Sequence, residues 1–125
     1  MNVLQQTLLS GIYTLKSLGG AEDVQVTHQD MSIDPLTEIQ TVLSSRTVKT
    51  LGFVNKPTIE EMRSFGLTQQ HEFIYTLMGG PLTDQQFIPQ INDTATSLLV
   101  GSFKLSKLLF FDSARAVYRF AVERV

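Results

Sequence analysis

The side chains that most often carry chemistry are few in this chain, and their spacing does not suit them to it. There are two histidines, His28 and His71, and no cysteine. Without thiols there is no thiolate nucleophile, no disulfide and no Cys-based zinc site, a pattern that fits a reducing compartment. Each histidine falls in or beside a strand-like segment with no second histidine at ligand spacing. Each therefore reads as a hydrogen-bonded structural residue rather than a metal ligand. Asp30 and Asp34 follow His28, but the stretch lacks the alternating oxygen ligands and closing glutamate of a calcium loop. Glu60 and Glu61 are adjacent, yet neighbours on a helix do not face each other, and acids in a first turn are what the helix dipole favours. Gly19-Gly20 and Gly79-Gly80 are isolated pairs with no following Lys-Ser or Lys-Thr, so neither is a phosphate loop. Ser102 follows Gly101, but no glycine stands two positions beyond it to make a nucleophile elbow. No catalytic, cofactor-binding or metal-binding residue is assigned, and the chain is read as non-catalytic.

One group of side chains does ask for a role. Leu108-Leu109-Phe110-Phe111 runs into the tip of a predicted hairpin, where at least one phenylalanine should be exposed. Aromatic side chains at a rigid tip are good anchors for protein contacts, so Phe110 and Phe111 are the candidate protein-contact residues.

The elements that must position this tip can be read along the chain. Leu4, Leu8, Ile12, Leu15 and Leu18 recur at helical spacing, and Gly19-Gly20 closes that helix. Its polar side carries one lysine, Lys16, which favours a face packed on a core or a partner over a lipid-binding face. The period then changes: Val24 and Val26 alternate with Asp23, Gln25 and Thr27 as in a strand. Asp30 to Pro35 is expected to be a loop because Asp34-Pro35 disfavours helix and marks a turn. Val48 to Val54 is the clearest strand of the 37–54 stretch, and Gly52 within it predicts a bulge or a close backbone approach. Thr58-Ile59-Glu60-Glu61 has the spacing of a capping box and opens a short helix ending near Gly66.

His71 to Met78 alternates as a strand, with Phe73, Tyr75 and Leu77 on one face and Glu72, Ile74 and Thr76 on the other. Gly79-Gly80-Pro81 breaks it, and Leu82 to Asp93 reads as looser polar chain with a turn at Asn92-Asp93. Thr96 to Val100, Ser102 to Phe110 and Arg115 to Glu123 read as three strands, the last two joined at Asp112-Ser113-Ala114. The expected fold is mainly β: a small antiparallel barrel or sandwich with an N-terminal amphipathic helix and one short internal helix. Residues 1–125 form one domain, with the helix in 1–20 and the β-rich body in 23–125.

Composition narrows the function classes. The 125 residues are 42% hydrophobic, enough for one core. The longest apolar run, Leu108 to Phe111, is far short of the roughly 20 residues that a membrane helix needs. The N-terminus lacks the basic opening and cleavage site of a secretory signal and reads as mature sequence. Residues 1–100 hold five basic and ten acidic side chains, and residues 101–125 hold five basic and two acidic. The overall balance of −2 argues against tight binding of nucleic acid. The uneven distribution would suit ordered contacts between copies.

The order of elements resembles that of the head–tail joining (head-closure, or stopper) proteins at the neck of tailed bacteriophages. The resemblance rests on Asp34-Pro35-Leu36-Thr37, on Val48-Lys49-Thr50-Leu51-Gly52-Phe53-Val54 and on Pro57-Thr58-Ile59-Glu60-Glu61. It continues through Asn92-Asp93, where the family often carries Gly-Asp, Phe103 to Phe110, and Ala116-Val117-Tyr118-Arg119-Phe120 running to Arg124. It implies a small β-barrel that assembles as a homo-oligomeric ring in the virion neck, put together in the host cytoplasm. Such a ring would contact portal, adaptor and tail proteins and help retain packaged DNA, which passes through its lumen without tight or sequence-specific binding. No cofactor and no membrane are implied. Other tail-end proteins (a tail terminator or completion protein) and a monomeric β-barrel protein-binding module are the alternative readings, while an enzyme has no positive feature behind it.

Overall fold

A computed structural model describes residues 1–68, 71 and 73–125. In chain order the elements are helix α1 (Val3–Ser17), strands β1 (Glu22–Ile33) and β2 (Gln40–Asn55), helix α2 (Ile59–Phe65), strand β3 (Phe73–Met78), helix α3 (Gly79–Asp84), and strands β4 (Thr94–Ser97), β5 (Gly101–Phe111) and β6 (Val117–Arg124). The strands hydrogen-bond in the cyclic order β1-β2-β3-β6-β5-β4, all antiparallel, and β4 closes the ring onto β1. The protein is mainly β, as its short alternating segments require. Closure leaves no free sheet edge along the paired lengths.

Alternation decides what fills the barrel. Val24 and Val26 of β1, Val48 of β2, Tyr75 and Leu77 of β3, Phe103 and Leu105 of β5, and Tyr118, Phe120 and Val122 of β6 are buried together inside it. The rings of Tyr75 and Phe103 pack with centroids 4.8 Å apart. Each fully buried side chain of this size contributes about 1.5–3 kcal/mol. The side chains of Phe73, Tyr75 and Leu77 share one face as expected; of the opposite set, Ile74 and Thr76 are buried on the outer side, and Glu72 lies outside the described residues. Gly52 makes the close approach anticipated for it. A Cβ there would sit 2.5 Å from the carbonyl oxygen of Thr76 and from the Tyr75 ring.

The outer wall of β2, β3 and β6 carries a second apolar cluster, Leu51, Met78 and Val117 with Phe53, covered by Leu9 and Ile12 of α1. The helix does not present the expected stripe. Gln5, Leu9 and Ile12 face inward, while Leu4, Leu8, Leu15 and Leu18 remain exposed. Hydrogen bonding sets this rotation. The buried Gln5 amide donates to Thr83 Oγ1 and to the carbonyls of Ala114 and Arg115 at 3.0–3.1 Å, and its oxygen closes a capping box with Asn2. A buried amide left without partners would cost more than a leucine left half in water.

Helix α2 has the capping box read from Thr58 and Glu61, and Gly66 ends it in the left-handed conformation (φ 63°). Arg119 of β6 pairs with Glu61 at 3.1 Å, and Lys107 of β5 donates to the Phe65 carbonyl at the helix C-terminus. These contacts pin α2 to the outer face of the closing hairpin.

Several segments differ from expectation. The segment from Asp30 is not a loop: β1 runs on to Ile33, and the turn lies at Asp34–Glu38, where Asp34 Oδ1 accepts from Leu36 N at 2.9 Å. Gly79-Gly80-Pro81 ends β3 but opens α3 rather than loose chain, so there are two short internal helices, not one. Proline is compatible with a first turn, where its missing N–H leaves no bond unmade. The glycines are there because the backbone of Arg115 and Ala116 and the side chain of Met1 lie against them. Leu82, Phe87 and Pro89 are buried, although their surroundings in sequence are polar. Finally, β4 covers Thr94–Ser97 and stops before Leu98, because Ser97 Oγ accepts from Val100 N and Gly101 (φ 84°) turns the chain into β5.

Candidate protein-contact surfaces

Phe110 and Phe111 are both half-exposed, at 48% and 50%. They do not form one patch. Register shifts at Leu105/Lys107 and Leu108/Phe110 leave Phe110 opposite Arg119 and Phe111 opposite Tyr118. Cross-strand partners share a face, so Phe111 lies on the side of the barrel interior, stacked on Tyr118 with centroids 6.5 Å apart, while Phe110 lies on the outer side. The turn between β5 and β6 is held by Asp112 Oδ1, which accepts from the N–H groups of Ala116 and Val117. The tip, held by these bonds, offers an aromatic ring on each face.

A larger surface comes from the hairpin of β1 and β2. Strand β4 pairs with β1 only over Val24–Thr27, and β3 pairs with β2 only over Gly52–Asn55. Among the described residues no third strand therefore pairs with the ribbon beyond His28 and Arg46, and residues 29–47 are exposed on both faces. A two-stranded ribbon is at best marginally stable in water. This one nevertheless carries Met31, Ile33, Leu36, Ile39, Val42 and Leu43, all exposed, with Leu36 at its turn 93% so. Met31 and Val42 are direct cross-strand partners, and Ile33 shares their face. The arm also carries Asp30, Asp34 and Glu38 and has no basic residue between 29 and 45.

The base of the arm is built with care. His28, Asp30, Ser44 and Arg46 follow Val24, Val26 and Val48 along the inward-facing side, so the apolar interior gives way to a polar rim. His28 Nδ1 meets Asp93 Oδ1 at 2.5 Å and Nε2 meets Asp30 Oδ1 at 3.1 Å, while Ser44 donates to Asp30 Oδ2 at 2.8 Å. Asp93 is buried and also accepts from Gln90 N. Arg46 donates to the carbonyls of Gln85 and Gln86 and lies over the Phe87 ring at 5.7 Å. Together these contacts seal the barrel end with the 85–93 segment and fix the direction in which the arm leaves.

The hydrogen bond that His28 makes to Asp93, with that to Asp30, raises the His28 pKa above its ordinary value against the opposing effect of burial. The Asp30 carboxyl is lowered by Ser44 first and then by His28. A cavity of about 440 Å³ borders this rim. Its chemistry is one of holding. Both ring nitrogens of His28 are bonded to carboxylates, so neither is free to take a proton from a substrate, and the Ser44 hydroxyl points at Asp30 rather than at the ring. His71 likewise bonds Ser106 Oγ at 3.1 Å. Among the described residues no His, Asp and Glu side chains converge as a metal ion would need.

At the opposite barrel end Glu22 is buried, accepting from Tyr75 Oη at 2.9 Å and from Leu99 N at 3.1 Å. Burial first, and the Glu22 carboxylate next, push the Tyr75 phenol far above its usual range. Glu22 thus ties β1 to β3 through Tyr75 and to the turn between β4 and β5 through Leu99.

Sequence reasoning named Phe110 and Phe111 and missed the arm. A signal was present. The apolar positions of β1 shift phase from Val24 and Val26 to Met31 and Ile33, which marks the point where the strand leaves the barrel and offers its outer face instead.

The chain matches no protein-family model, no curated protein and no solved structure.

Proposed function

We propose that the chain is a non-catalytic structural protein of a tailed-bacteriophage neck, a ring subunit that joins the DNA-filled head, through portal and adaptor, to the tail and helps retain packaged DNA. The observation that supports this reading is the apolar arm, two-stranded and exposed on both faces, on a barrel whose own core is already closed. Leu36, Ile39 and Leu43 are 93%, 63% and 69% exposed. Contiguous exposed apolar surface of that kind is kept for association. A ring needs heterologous contacts, one face of a subunit meeting a different face of the next. An acidic arm on one part of the chain and a basic closing hairpin on another are suited to that. The resemblance of the element order to that of head–tail joining proteins supports the neck as the place of this assembly.

A second reading, a monomeric β-barrel module that binds a partner peptide, has one observation in its favour. A cavity of about 320 Å³ lies among Phe87, Ile88, Tyr118 and Arg115 and is mainly apolar. Native mass measurement and negative-stain imaging, on the protein alone and mixed with portal–adaptor complexes, separate the two. Rings, or stoichiometric capping of the portal complex, are expected of a neck subunit. A persistent monomer that ignores those complexes overturns the neck reading in favour of the module.

A further inference from the structure

We propose that the arm tip of one copy docks in the groove between α3 and the β5–β6 turn of a second copy, with Leu36 as the knob and Arg115 as its charged partner. The proposal deepens the ring reading and rests on it, since it names the two faces that would meet. The groove is the cavity of about 320 Å³ lined by Thr83, Gln86, Phe87, Ile88, Arg115 and Tyr118. Its floor is apolar, Ile88 is exposed, and Phe111 stacks on Tyr118 beside it. The Arg115 side chain is exposed at its edge and pairs with no carboxylate among the described residues. The other basic residues of this region are engaged within the chain. Arg119 holds Glu61, Lys104 lies 3.6 Å from Glu123, and Lys107 meets the Phe65 carbonyl.

The arm tip is the complement of that groove. Leu36 projects from the turn almost wholly into solvent, with Asp34 and Glu38 two residues away on either side. An apolar knob between two acids matches an apolar hollow with one arginine at its rim, and a guanidinium is the group best shaped to take a carboxylate. Reach is sufficient, since β1 extends about 10 Å from Asp30 to Ile33 at roughly 3.3 Å per residue, and the turn at Asp34–Glu38 carries Leu36 beyond that. The chain's own groove is not the receptor, because Leu36 is 93% exposed. Arm and groove lie at the same barrel end, on either side of Phe87, and they are different surfaces. Each contact thus joins unlike surfaces, and one that the same partner does not reciprocate can repeat around a ring.

The absence of native cysteine allows a clean test. Full-length Leu36→Cys and Ile88→Cys chains are mixed under mild oxidation, alone and with portal–adaptor complexes, while native mass reports self-association of the unsubstituted chain. The expected result is a mixed disulfide joining position 36 of one chain to position 88 of the other, in preference to either self-pair. Self-pairs of the Leu36→Cys chain alone would mean that arms meet arms, and the proposal falls. Oligomers of the unsubstituted chain without the mixed disulfide overturn the docking while leaving the ring reading intact. Neither oligomers nor disulfide, even with the portal complexes, overturns both. In parallel, Glu38→Arg and Arg115→Glu should each weaken self-association about tenfold, and the double reversal should restore most of it. Single reversals that leave association unchanged overturn the pairing.

Discussion

Serine substitutions at Phe110 and Phe111 should separate assembly from folding, and their cost can be worked from the structure. Full burial of a phenylalanine stabilises by about 1.5–3 kcal/mol. Phe110 is 48% exposed and has no ring partner among the described residues, so Phe110→Ser should cost about 1 kcal/mol. Phe111 is 50% exposed but stacks on Tyr118, and an aromatic pair adds about 0.5–1.5 kcal/mol, so Phe111→Ser should cost about 2 kcal/mol. The two rings lie on opposite faces of the hairpin, so the penalties should nearly add, to about 3 kcal/mol. A domain of this length is stable by roughly 6–19 kcal/mol, which leaves the double variant folded. The internal standard is Phe103, fully buried against Tyr75, where truncation to alanine should cost about 3–5 kcal/mol. Urea unfolding followed by far-ultraviolet circular dichroism measures all four, with an unchanged m-value as the check on two-state behaviour. Native mass then reports assembly, which the double variant should impair. If Phe110→Ser alone matched Phe103→Ala, or the double variant unfolded, these side chains would be core and their role as contact residues would be withdrawn.

The remaining predictions concern the rim, the backbone and the arm. His28 titrates higher folded than unfolded, so its stabilisation is complete below the unfolded value of about 6.5 and is lost as pH rises through the folded value. His28→Gln should therefore destabilise more at about pH 6 than at about pH 9 by urea midpoint, and a penalty that is flat or grows with pH would refute the assignment. Gly52→Ala drives a methyl into the Thr76 carbonyl and the Tyr75 ring and should cost about 3 kcal/mol. Gly11→Ala, in an open helical position, should stabilise by about 0.5–1 kcal/mol; thermal melts that reversed this order would show that the strands can spread at Gly52. Excising residues 31–43 and joining Asp30 to Ser44 through Asn-Gly should move the melting temperature by only a few degrees, because no excised side chain is buried. Collapse of that variant would mean that the arm belongs to the fold.

Much of the barrel was legible because its signals are local. Alternation in Ala116, Tyr118, Phe120 and Val122 needs no partner to be recognised, and the Thr58–Glu61 capping box is complete within one turn. What escaped depends on distant neighbours. The rotation of α1 is set by Gln5 reaching carbonyls at Ala114 and Arg115, more than a hundred residues away, so the leucine stripe alone pointed to the wrong face. Helix α3 begins with two glycines and a proline, which read as a break when taken for local conformation and become intelligible only once the Arg115–Ala116 backbone lies against them. The arm was mistaken for a loop because Asp34-Pro35 is a true turn signal whose reach was extended a few residues too far back along the chain. The site at the rim needs Asp93 brought to His28 across 65 residues, and no spacing in the sequence announces it.

The charges at the rim and the apolar residues on the arm bear on each other. A ribbon that stands clear of its sheet would ordinarily fray, since its side chains bury nothing that repays the entropy of ordering them. Here the last residues inside the barrel's grip, His28 and Arg46, are cross-strand partners, each bonded to the 85–93 segment. Asp30 and Ser44, the next pair outward, are bonded to each other, and Asp30 is bonded to His28. The network therefore clamps the ribbon where it emerges and aims it, and the outer part holds its shape through ladder hydrogen bonds and the Asp34 turn. Under the proposed docking, pre-ordering of this kind would lower the entropy lost on covering Met31, Leu36 and Ile39, so that more of their burial would appear as affinity. It also explains why so polar a device sits at the mouth of an apolar barrel. An all-apolar rim would close the core equally well, but it would leave the direction of the arm unspecified.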